Sequence, residues 1–318
     1  MRLCGIIEGK VIVMIYTLTT NPAIDMNIAS NTLHPNTVTR TRDAVYTPNG
    51  KGLNVSFTLD RFGITSTVLG FFGGFSGEYI VNGCREKQVP VLPVWVEDTT
   101  RINVFLNDGT GEYNLVNAGS FVPRTAQDEL LTMLEGLEQP EALCISGSLP
   151  RGVEPAYYEE ILRVCEKKNI PVVLDISSPK LKELLAYRPL LIKPNDDELR
   201  DIFGLSVTNE EEVKAAMAEL HRLGAQNVLL TLGGNGAYFS NGKALWRCGV
   251  YPVQVYSTVC AGDATLGGFL SVWLRDNTAV VAALQRGAAC GANAAESAAL
   301  GTLSRVEKYS KAIAVQQV

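Results

Sequence analysis

The feature of this sequence that most limits its fold is a regular alternation that begins near residue 141. Short apolar runs, such as "ALCIS", "PVVLDI" and "NVLLTLG", alternate with longer amphipathic segments, such as "EPAYYEEILRVCEKKN" and "NEEEVKAAMAELHRLG". Buried strands that alternate with helices are typical of a doubly wound parallel sheet, so the sequence predicts an α/β fold. Ligands of such sheets bind beyond the carboxyl ends of the strands, which are expected at Ser146, Asp175, residues 193–195 and residues 231–234.

Two other segments do not follow this alternation. "MNIASNTLHPNTVTRTRDAVYTPNG" and "VPVLPVWVEDTTRINVFLNDGTGEYNLVNAG" alternate apolar and polar residues and contain turn signals such as "NDGTG". This pattern predicts antiparallel hairpins that pair into one small sheet. Because the segments interrupt the α/β pattern, they are expected to be lid strands, at about 24–48 and 89–118, within a single domain of residues 1–318.

The composition argues against several classes of protein. A net charge of −5 gives no sign of a nucleic-acid or membrane surface, so the expected partner is a small molecule. The seven cysteines lack paired spacing, which indicates reduced thiols and a cytoplasmic location. The two histidines stand far from any cluster with metal-ligand spacing. A zinc site and a histidine base are therefore not expected, and a general base should be a carboxylate.

The beginning of the chain, "MRLCGIIEGKVIVM", is a broken apolar run without a small-residue cleavage site. No signal peptide is therefore expected. Met14 is a second candidate for the first residue, because the chain reads naturally from "MIYTLTTNPAID", and residues 1–13 would then be a poorly fixed extension.

The segment "PNGKGLNVS" places Gly50 and Gly52 around Lys51, just before a predicted helix. Glycines at such a junction let the backbone approach a ligand closely, the helix start presents free N–H groups, and a lysine adds a charge suited to phosphate. A simple glycine turn that leads into a helix explains the same residues. The spacing of a Walker A loop is absent, so P-loop chemistry is excluded.

Three polar residues near predicted strands are candidates for substrate contacts. Asp25 follows the first strand, where it would either accept hydrogen bonds from sugar hydroxyls or stabilise the turn after "NP". Arg101 and Asn103 occupy alternate positions of a predicted strand and so face the same side. An arginine in a cleft beside Lys51 would clamp a phosphate; the alternative is a solvated strand face.

Two turns after predicted strands are candidates for a nucleotide and its metal. "LIKPNDDEL" places Asn195 and Glu198 three apart, which suits either a hydrated magnesium ion or a capping box at a helix start. "TLGGNGA", residues 231–237, would lie along nucleotide phosphates or simply close a hairpin. The spacing alone leaves both pairs of alternatives open.

The segment "STVCAGDATLGGFL" places one acid, Asp263, at the start of a predicted helix. Ala261 and Gly262 let consecutive N–H groups point into one concavity, and the helix dipole favours the anionic oxygens of a phosphoryl group in transfer. Asp263 would then take the proton of an attacking hydroxyl group. An aspartate at this position is also a common helix cap, and the segment taken alone favours the cap.

Nine segments carry a resemblance that extends from about Met14 to Thr302: "TLTTNPAID", "NGKGLNVS", "GFFGGFSGEYI", "TTRINV", "SGSLPRGV", "VVLDIS", "IKPNDDEL", "TLGGNGA" and "STVCAGDATLGGFL". In this order they resemble the motifs of the PfkB, or ribokinase-like, family of carbohydrate kinases, and within it the hexose-phosphate branch. The resemblance implies a ribokinase-like core with a β-sheet lid. It also implies transfer of a phosphoryl group from ATP, in the presence of Mg²⁺, to a phosphorylated ketohexose.

The resemblance further implies a role for each candidate residue. Asp263 matches the catalytic base, and the anion-hole turn matches Cys260, Ala261 and Gly262. The sugar-binding positions match Asp25, Gly50 and Asn54. The positions near the substrate phosphate match Lys51, Arg101, Asn103, Ser146 and, on a lid strand, Arg40. The positions that hold ATP match Lys193, Asn195, Thr231, Gly233, Gly236 and Asn293, and Glu198 completes the N-x-x-E motif that influences magnesium.

Two residues depart from the pattern of the family. Cys260 stands where a glycine is usual, so its side chain would narrow the anion hole or limit the backbone. Asn49 replaces the first glycine of G-G-K-G; asparagine tolerates a positive φ, so this turn should survive.

The expected substrate within the family is fructose 1-phosphate, converted to fructose 1,6-bisphosphate. Tagatose 6-phosphate and fructose 6-phosphate are alternatives, because each offers one phosphate and one free primary hydroxyl. A non-catalytic sugar-phosphate sensor is an alternative of another class, suggested by Cys260. A dinucleotide-binding oxidoreductase is disfavoured, because G-x-G-x-x-G does not follow the first strand. The free edges of a lid sheet would suit a homodimer.

Overall fold

A computed structural model describes residues 14–138 and 140–318 of the chain, and the expectation about residues 1–13 lies outside the described residues. The strands are β1 (Ile15–Thr19), β2 (Ala23–Ala29), β3 (Arg42–Asn49), β4 (Ser66–Gly73), β5 (Val91–Val96), β6 (Arg101–Asn107), β7 (Glu112–Leu115), β8 (Ala142–Ser146), β9 (Val172–Asp175), β10 (Leu191–Ile192), β11 (Val228–Thr231), β12 (Ala237–Ser240), β13 (Leu245–Cys248) and β14 (Val315–Gln317). The α-helices are α1 (Lys51–Arg61), α2 (Gly74–Glu86), α3 (Arg124–Gly136), α4 (Tyr157–Lys168), α5 (Leu181–Leu184), α6 (Asp196–Glu198), α7 (Glu210–Leu223), α8 (Ala261–Trp273), α9 (Val280–Ala295) and α10 (Val306–Ala312). Within these ranges, no helix has both the length and the apolar character needed to span a membrane.

The large sheet has the strand order β14-β13-β12-β11-β10-β9-β8-β1-β4-β5. From β11 to β5 in this order the strands run parallel, and β12, β13 and β14 extend the sheet with antiparallel pairs. The parallel register aligns Thr19 with Ser146 and Ser146 with Asp175, so these strand ends meet at one edge. The predicted α/β doubly wound sheet is confirmed.

Helices cover both faces of this sheet. One face packs against α1, α8 and α9 through side chains that include Val55, Leu59, Leu266, Phe269 and Ala289. The other packs against α3, α4 and α7 through side chains that include Leu130, Tyr157, Ile161, Met217 and Leu220. Full burial of each large apolar side chain contributes about 1.5–3 kcal/mol, so the two helical layers stabilise the sheet that carries the strand ends.

Helix α8 is held between α1 and α9 by glycines that permit close approach. A Cβ atom added to Gly267 would lie 2.6 Å from Cβ of Thr58 in α1. One added to Gly268 would lie 2.7 Å from Sγ of Cys290 in α9. Both distances are shorter than van der Waals contact, so side chains here would push the helices apart. The position of the α8 N-terminus relative to α1 therefore depends on these two glycines.

A second, small sheet has the order β3-β2-β6-β7. The pairs β2·β3 and β6·β7 are antiparallel, and β2 runs parallel to β6, so two hairpins are joined side by side. The second lid segment was expected at about 89–118, and this is wrong for its first strand. Strand β5 (Val91–Val96) pairs with β4 at the edge of the large sheet and does not belong to the small sheet. Its buried Val94 and exposed Trp95 produce the alternation of any half-exposed edge strand, which does not indicate which sheet the strand joins.

Candidate active site

A cavity of about 1000 Å³ opens at the carboxyl ends of the parallel strands. Its walls come from those strand ends, from the small sheet and from the starts of α1 and α8. The predicted site residues that line it are Asp25, Gly50, Lys51, Asn54, Arg101, Asn103, Ser146, Lys193, Asn195, Thr231, Gly233, Gly236, Cys260, Ala261, Gly262 and Asp263. Segments that are far apart in the sequence thus share one concave site of the size that small molecules occupy.

Three predicted residues do not line this cavity. Arg40 is exposed in the connection before β3, so the expectation that it lies on a lid strand is wrong. Asn293 is buried, and its Oδ1 accepts a hydrogen bond from the backbone N–H of Arg305 at 2.9 Å, which supports the segment before α10. Glu198 is buried beneath Asn195, in a capping arrangement described below.

The start of α8 forms a turn with free N–H groups. Cys260 is the N-cap residue and has a φ of 66°, in the left-handed region. The N–H of Ala261 donates a hydrogen bond to the carbonyl oxygen of Thr258 at 3.3 Å. Among the described residues, no acceptor lies within hydrogen-bond reach of the N–H groups of Gly262 and Asp263. The free donors are thus one residue further along than the expected pair, Ala261 and Gly262, and suit an anion at the helix start.

Asp263 has the environment of a general base. Its Oδ2 accepts a hydrogen bond from Nδ2 of Asn54 at 2.8 Å, whereas Oδ1 has no such partner among the described residues. Burial raises the pKa of Asp263 to about 6, and the charge of Asp175 adds to this effect, while Lys51, Asn54 and Lys193 oppose it. A carboxylate with a pKa near 6 is ionised at neutral pH and is a stronger base than an exposed aspartate.

Cys260 is a buried, neutral thiol at this turn. Its Sγ lies 3.2 Å from Nδ2 of Asn54, and burial first, followed by the charges of Asp263 and Asp25, raises the pKa of the thiol. A residue other than glycine in the left-handed region costs roughly 1–2 kcal/mol. The structure therefore accommodates the departure from glycine at this position at a conformational cost, and the N–H groups of Gly262 and Asp263 remain free.

The wall of the cavity formed by the small sheet contains a hydrogen-bond network around Asp25. Asp25 lies within β2, so it is a strand residue and not a turn residue. Its Oδ1 accepts from Nδ2 of Asn103 at 2.9 Å, and its Oδ2 accepts from the side-chain amide of Asn49. Burial raises the pKa of Asp25, and the hydrogen bonds from Asn103 and Asn49 oppose this effect. The carboxylate is thus held rigidly on the cavity wall, as recognition of hydroxyl groups requires.

The two cations expected to clamp the substrate phosphate have different partners. Arg101 donates from its two terminal nitrogens to the carbonyl oxygens of Asn117 and Asn21, each at 2.9 Å. Lys51 Nζ instead lies 3.4 Å from Oδ1 of Asp175. The structure therefore shows Lys51 next to the strand ends and Arg101 tied to the small sheet, and a joint clamp remains a prediction.

The turn after β10 contains a capping box formed by Asn195 and Glu198. The spacing of these two residues had suggested either this capping box or a magnesium site. Oδ1 of Asn195 accepts from the N–H of Glu198 at 2.7 Å, and Oε2 of Glu198 accepts from the N–H of Asn195 at 3.0 Å. Oε1 of Glu198 accepts from the hydroxyl of Ser177. "TLGGNGA" likewise closes an antiparallel hairpin, with Thr231 paired to Ala237, and its glycines also line the cavity.

Two features in or beside the cavity have no role in the sequence-based predictions. Asp175 was recognised only as a strand end; it is fully buried and pairs with two lysines. The apolar loop of residues 250–255 lines the cavity, and its Tyr251 stacks on Tyr309 with ring centres 3.9 Å apart. The motif "VVLDIS" contains Asp175 but does not indicate its lysine partners. The apolar run "VYPVQVY" between a strand and a helix would have pointed to the loop.

Comparisons with known proteins give one answer. The sequence profile of the pfkB family of carbohydrate kinases matches residues 13–306. The chain is 48% identical over 305 residues to D-tagatose-1-phosphate kinase from Klebsiella oxytoca, a match that covers 96% of this chain and 100% of that relative. It is 32% identical over 305 residues to 1-phosphofructokinase from Bacillus subtilis (strain 168), with 96% and 100% covered. The structure of phosphofructokinase-2 from Escherichia coli in complex with substrates and products superposes with a TM-score of 0.87 at 28% identity, with 94% and 99% covered.

Proposed function

The chain belongs to the pfkB family of carbohydrate kinases, as its motifs predicted, and we propose that its sugar substrate is a ketohexose 1-phosphate. D-Tagatose 1-phosphate is the first candidate, since the chain is 48% identical to a kinase named for that sugar. D-Fructose 1-phosphate, the substrate expected from the sequence, is the second, because the 32% identical relative is a 1-phosphofructokinase. The two sugars are epimers at C4, so the choice between them depends on the contacts of one hydroxyl group.

The observation that carries the proposal is the geometry of Asp263. Its free Oδ1 would take the proton of the primary hydroxyl, whose oxygen forms a bond to the γ-phosphorus of ATP. The bond from the γ-phosphorus to the bridging oxygen breaks at the same time, and ADP leaves with that electron pair. The N–H groups of Gly262 and Asp263 would hold the oxygens of the phosphoryl group in transit.

The nucleotide and the sugar would occupy different walls of the cavity. We assign ATP to the side with Lys193, Thr231, Gly233, Gly236 and the loop of residues 250–255, where an apolar wall suits a base and glycines suit phosphates. The sugar hydroxyls are assigned to Asp25 and Asn103. Lys51 and Arg101 are assigned to the substrate phosphate, with the small sheet as the lid that excludes water.

The residues near Asn195 also fit a magnesium ion, which kinases of this chemistry use. Among the described residues, no three histidine, cysteine, aspartate or glutamate side chains form a cluster for a metal ion. Mg²⁺ keeps several waters and binds mainly to substrate phosphates, so it needs no such cluster. Both oxygens of Glu198 already accept one hydrogen bond, and each retains a lone pair for a metal-bound water. We propose Glu198 as this indirect ligand; the ion would neutralise charge on the phosphates.

A substrate panel tests the proposed function. ADP release would be measured with D-tagatose 1-phosphate, D-fructose 1-phosphate, fructose 6-phosphate and tagatose 6-phosphate, each with ATP and Mg²⁺. We expect kcat/KM for the two 1-phosphates to exceed that for the 6-phosphates by at least about a hundredfold, because a phosphate at the wrong end leaves the site's cations unpaired. Faster turnover of a 6-phosphate would contradict the proposal. Sugar-phosphate binding without any turnover would support the non-catalytic sensor.

We also propose that the small sheet pairs with a second copy of the chain. It carries large exposed apolar side chains at Val45, Tyr46, Tyr113 and Leu115, with Val116 just beyond β7. Exposed strand edges of this kind suit a symmetric dimer. In sedimentation velocity, Leu115→Arg should shift a dimer toward monomer, whereas Val281→Arg, at an exposed apolar residue on α9, should not. A wild type that sediments as a monomer at micromolar concentration would contradict this proposal.

A further inference from the structure

Asp175 is a buried carboxylate to which the proposed reaction assigns no role. It ends β9 at the carboxyl edge of the large sheet, next to Ser146 in the register. Its side chain is completely buried, and two lysines approach the same oxygen, Oδ1: Lys193 Nζ at 3.1 Å and Lys51 Nζ at 3.4 Å. One carboxylate thus joins two cations from different parts of the chain.

The side chains of the two lysines lie on opposite sides of the proposed reacting centre. Lys51 is the first residue of α1, and its half-buried side chain lines the cavity on the sugar side. Lys193 follows β10, and its Nζ lies 3.5 Å from the position that a Cβ atom of Gly262 would occupy. The ammonium group of Lys193 therefore lies at the helix start that would bind the phosphoryl group.

Burial of the Asp175 carboxylate reduces the free energy of unfolding. A buried carboxylate needs partners for both oxygens, yet Oδ2 of Asp175 has no hydrogen-bond partner among the described residues. Burial disfavours the charged form, but Lys193 and Lys51 outweigh burial and hold the pKa of Asp175 below its usual value. Buried ion pairs are often replaceable by apolar groups without loss of stability. A functional reason explains the pair better than a structural one.

We propose that Asp175 is a positioning residue that holds the ammonium groups of Lys51 and Lys193 on either side of the phosphoryl group in transit. The inference rests on the proposed phosphoryl transfer at Asp263. Before the substrates bind, Asp175 balances two positive charges that would otherwise repel each other. When the substrates are bound, the same carboxylate keeps both lysines within reach of the oxygens on which negative charge develops.

The charges around Asp263 supply a readout that a merely structural role would not change. The groups that face it are Lys51 from α1, Asp175 from β9 and Lys193 after β10, together with the hydrogen bond from Asn54 and the neutral thiol of Cys260. Asp175 is the negative charge among these neighbours, and it raises the pKa of Asp263. Removal of this charge would move the acid limb of the pH–rate profile to lower pH.

The test compares Asp175→Asn with Glu159→Gln in the full chain. Glu159 is a matched control because it also contacts two cations, Lys180 at 2.6 Å and Arg163 at 3.0 Å, but lies outside the cavity. Asp175→Asn should lower kcat at least about tenfold, change both KM values less than about threefold and shift the acid limb to lower pH. Glu159→Gln should match the wild type in all three measurements.

A folded Asp175→Asn variant with wild-type kcat would overturn the proposal, whether or not its acid limb moves. If thermal melting shows that this variant does not fold, the kcat and the acid limb of Asp175→Glu are measured instead. Its carboxylate preserves the charge but displaces the lysines, so a lower kcat with the wild-type acid limb supports the proposal, and wild-type kcat overturns it. A wild type that phosphorylates none of the four sugars would contradict the proposed function instead, and this is measured before any variant.

Discussion

Asn54, in the first turn of α1, donates a hydrogen bond at 2.8 Å to Oδ2 of Asp263 in the first turn of α8. The same amide lies 2.8 Å from Oδ1 of Asn49 and 3.2 Å from Sγ of Cys260. The orientation of the proposed base thus depends on the packing of two helices whose starting residues are 210 apart in the sequence.

Asp263→Asn should lower kcat by about a thousandfold, because asparagine cannot accept the proton of the hydroxyl group. The dissociation constant of the sugar phosphate should change less than about threefold, since size and most contacts are preserved. Initial rates and calorimetric titration measure the two quantities. Asp276→Asn, an exposed aspartate after the same helix, is the control. Wild-type kcat in Asp263→Asn would refute the role of Asp263 as the base.

The acid limb of kcat/KM should fall near pH 6, where Asp263 is half protonated. Burial raises the pKa, so the active, ionised form is lost as the pH decreases through about 6. Below the limb, the rate should decrease about tenfold per pH unit. A rate profile between pH 4 and 8 measures this limb, and a limb near pH 4 would show that Asp263 is not desolvated as the structure indicates.

Asp263→Asn should also be more stable than the wild type at pH 8. The pKa of the folded state lies above that of the unfolded chain, so ionisation of Asp263 destabilises the fold as the pH rises from about 4 to about 6. The cost at pH 8 is roughly 3 kcal/mol, and asparagine avoids it. Thermal melts should show a higher Tm for the variant at pH 8 and a smaller difference near pH 4. An equal or lower Tm at pH 8 would be inconsistent with this account.

Cys260→Gly should be more stable than Cys260→Ala, by about 1 kcal/mol. Both variants lose the buried sulfur, but only glycine adopts a φ of 66° without strain. Glycine is also preferred to alanine at an N-cap, whereas alanine is the more stabilising of the two only within a helix. Urea unfolding of both variants measures the difference. A more stable alanine variant would show that the turn changes when the sulfur is removed.

Much of the fold is encoded locally, and that part was predictable. Strand and helix periodicity depend on side chains close in sequence, so β8, β9, β11, α4 and α7 were evident as an α/β alternation. The partner of β5 was not evident, since the same alternation serves the edge of either sheet. The position of Arg40 was missed for a related reason: it depends on where the long connection before β3 ends, which no local pattern marks.

The chemistry of the site was predictable in kind but not in detail. The motifs indicated Asp263 and a helix start, and the local capping rules were obeyed at Asn195 and Glu198. They did not indicate that the N–H of Ala261 is already used, because this depends on the turn conformation of Cys260. The resemblance placed Asn293 with ATP, but this side chain does not line the cavity and instead accepts a hydrogen bond from the N–H of Arg305.

By itself, the sequence determined the fold class, the family and the residue types at the strand ends, because periodicity and motif order are properties of the chain alone. Only the tertiary structure decided which of these residues act on one another. Parallel pairing brings Asp175 beneath Lys51 and Lys193, and close packing of α1 against α8 brings Asn54 to Asp263. Burial then changes the chemistry of these carboxylates, since the pKa of a side chain depends on the solvent and charges around it, which the order of residues does not specify.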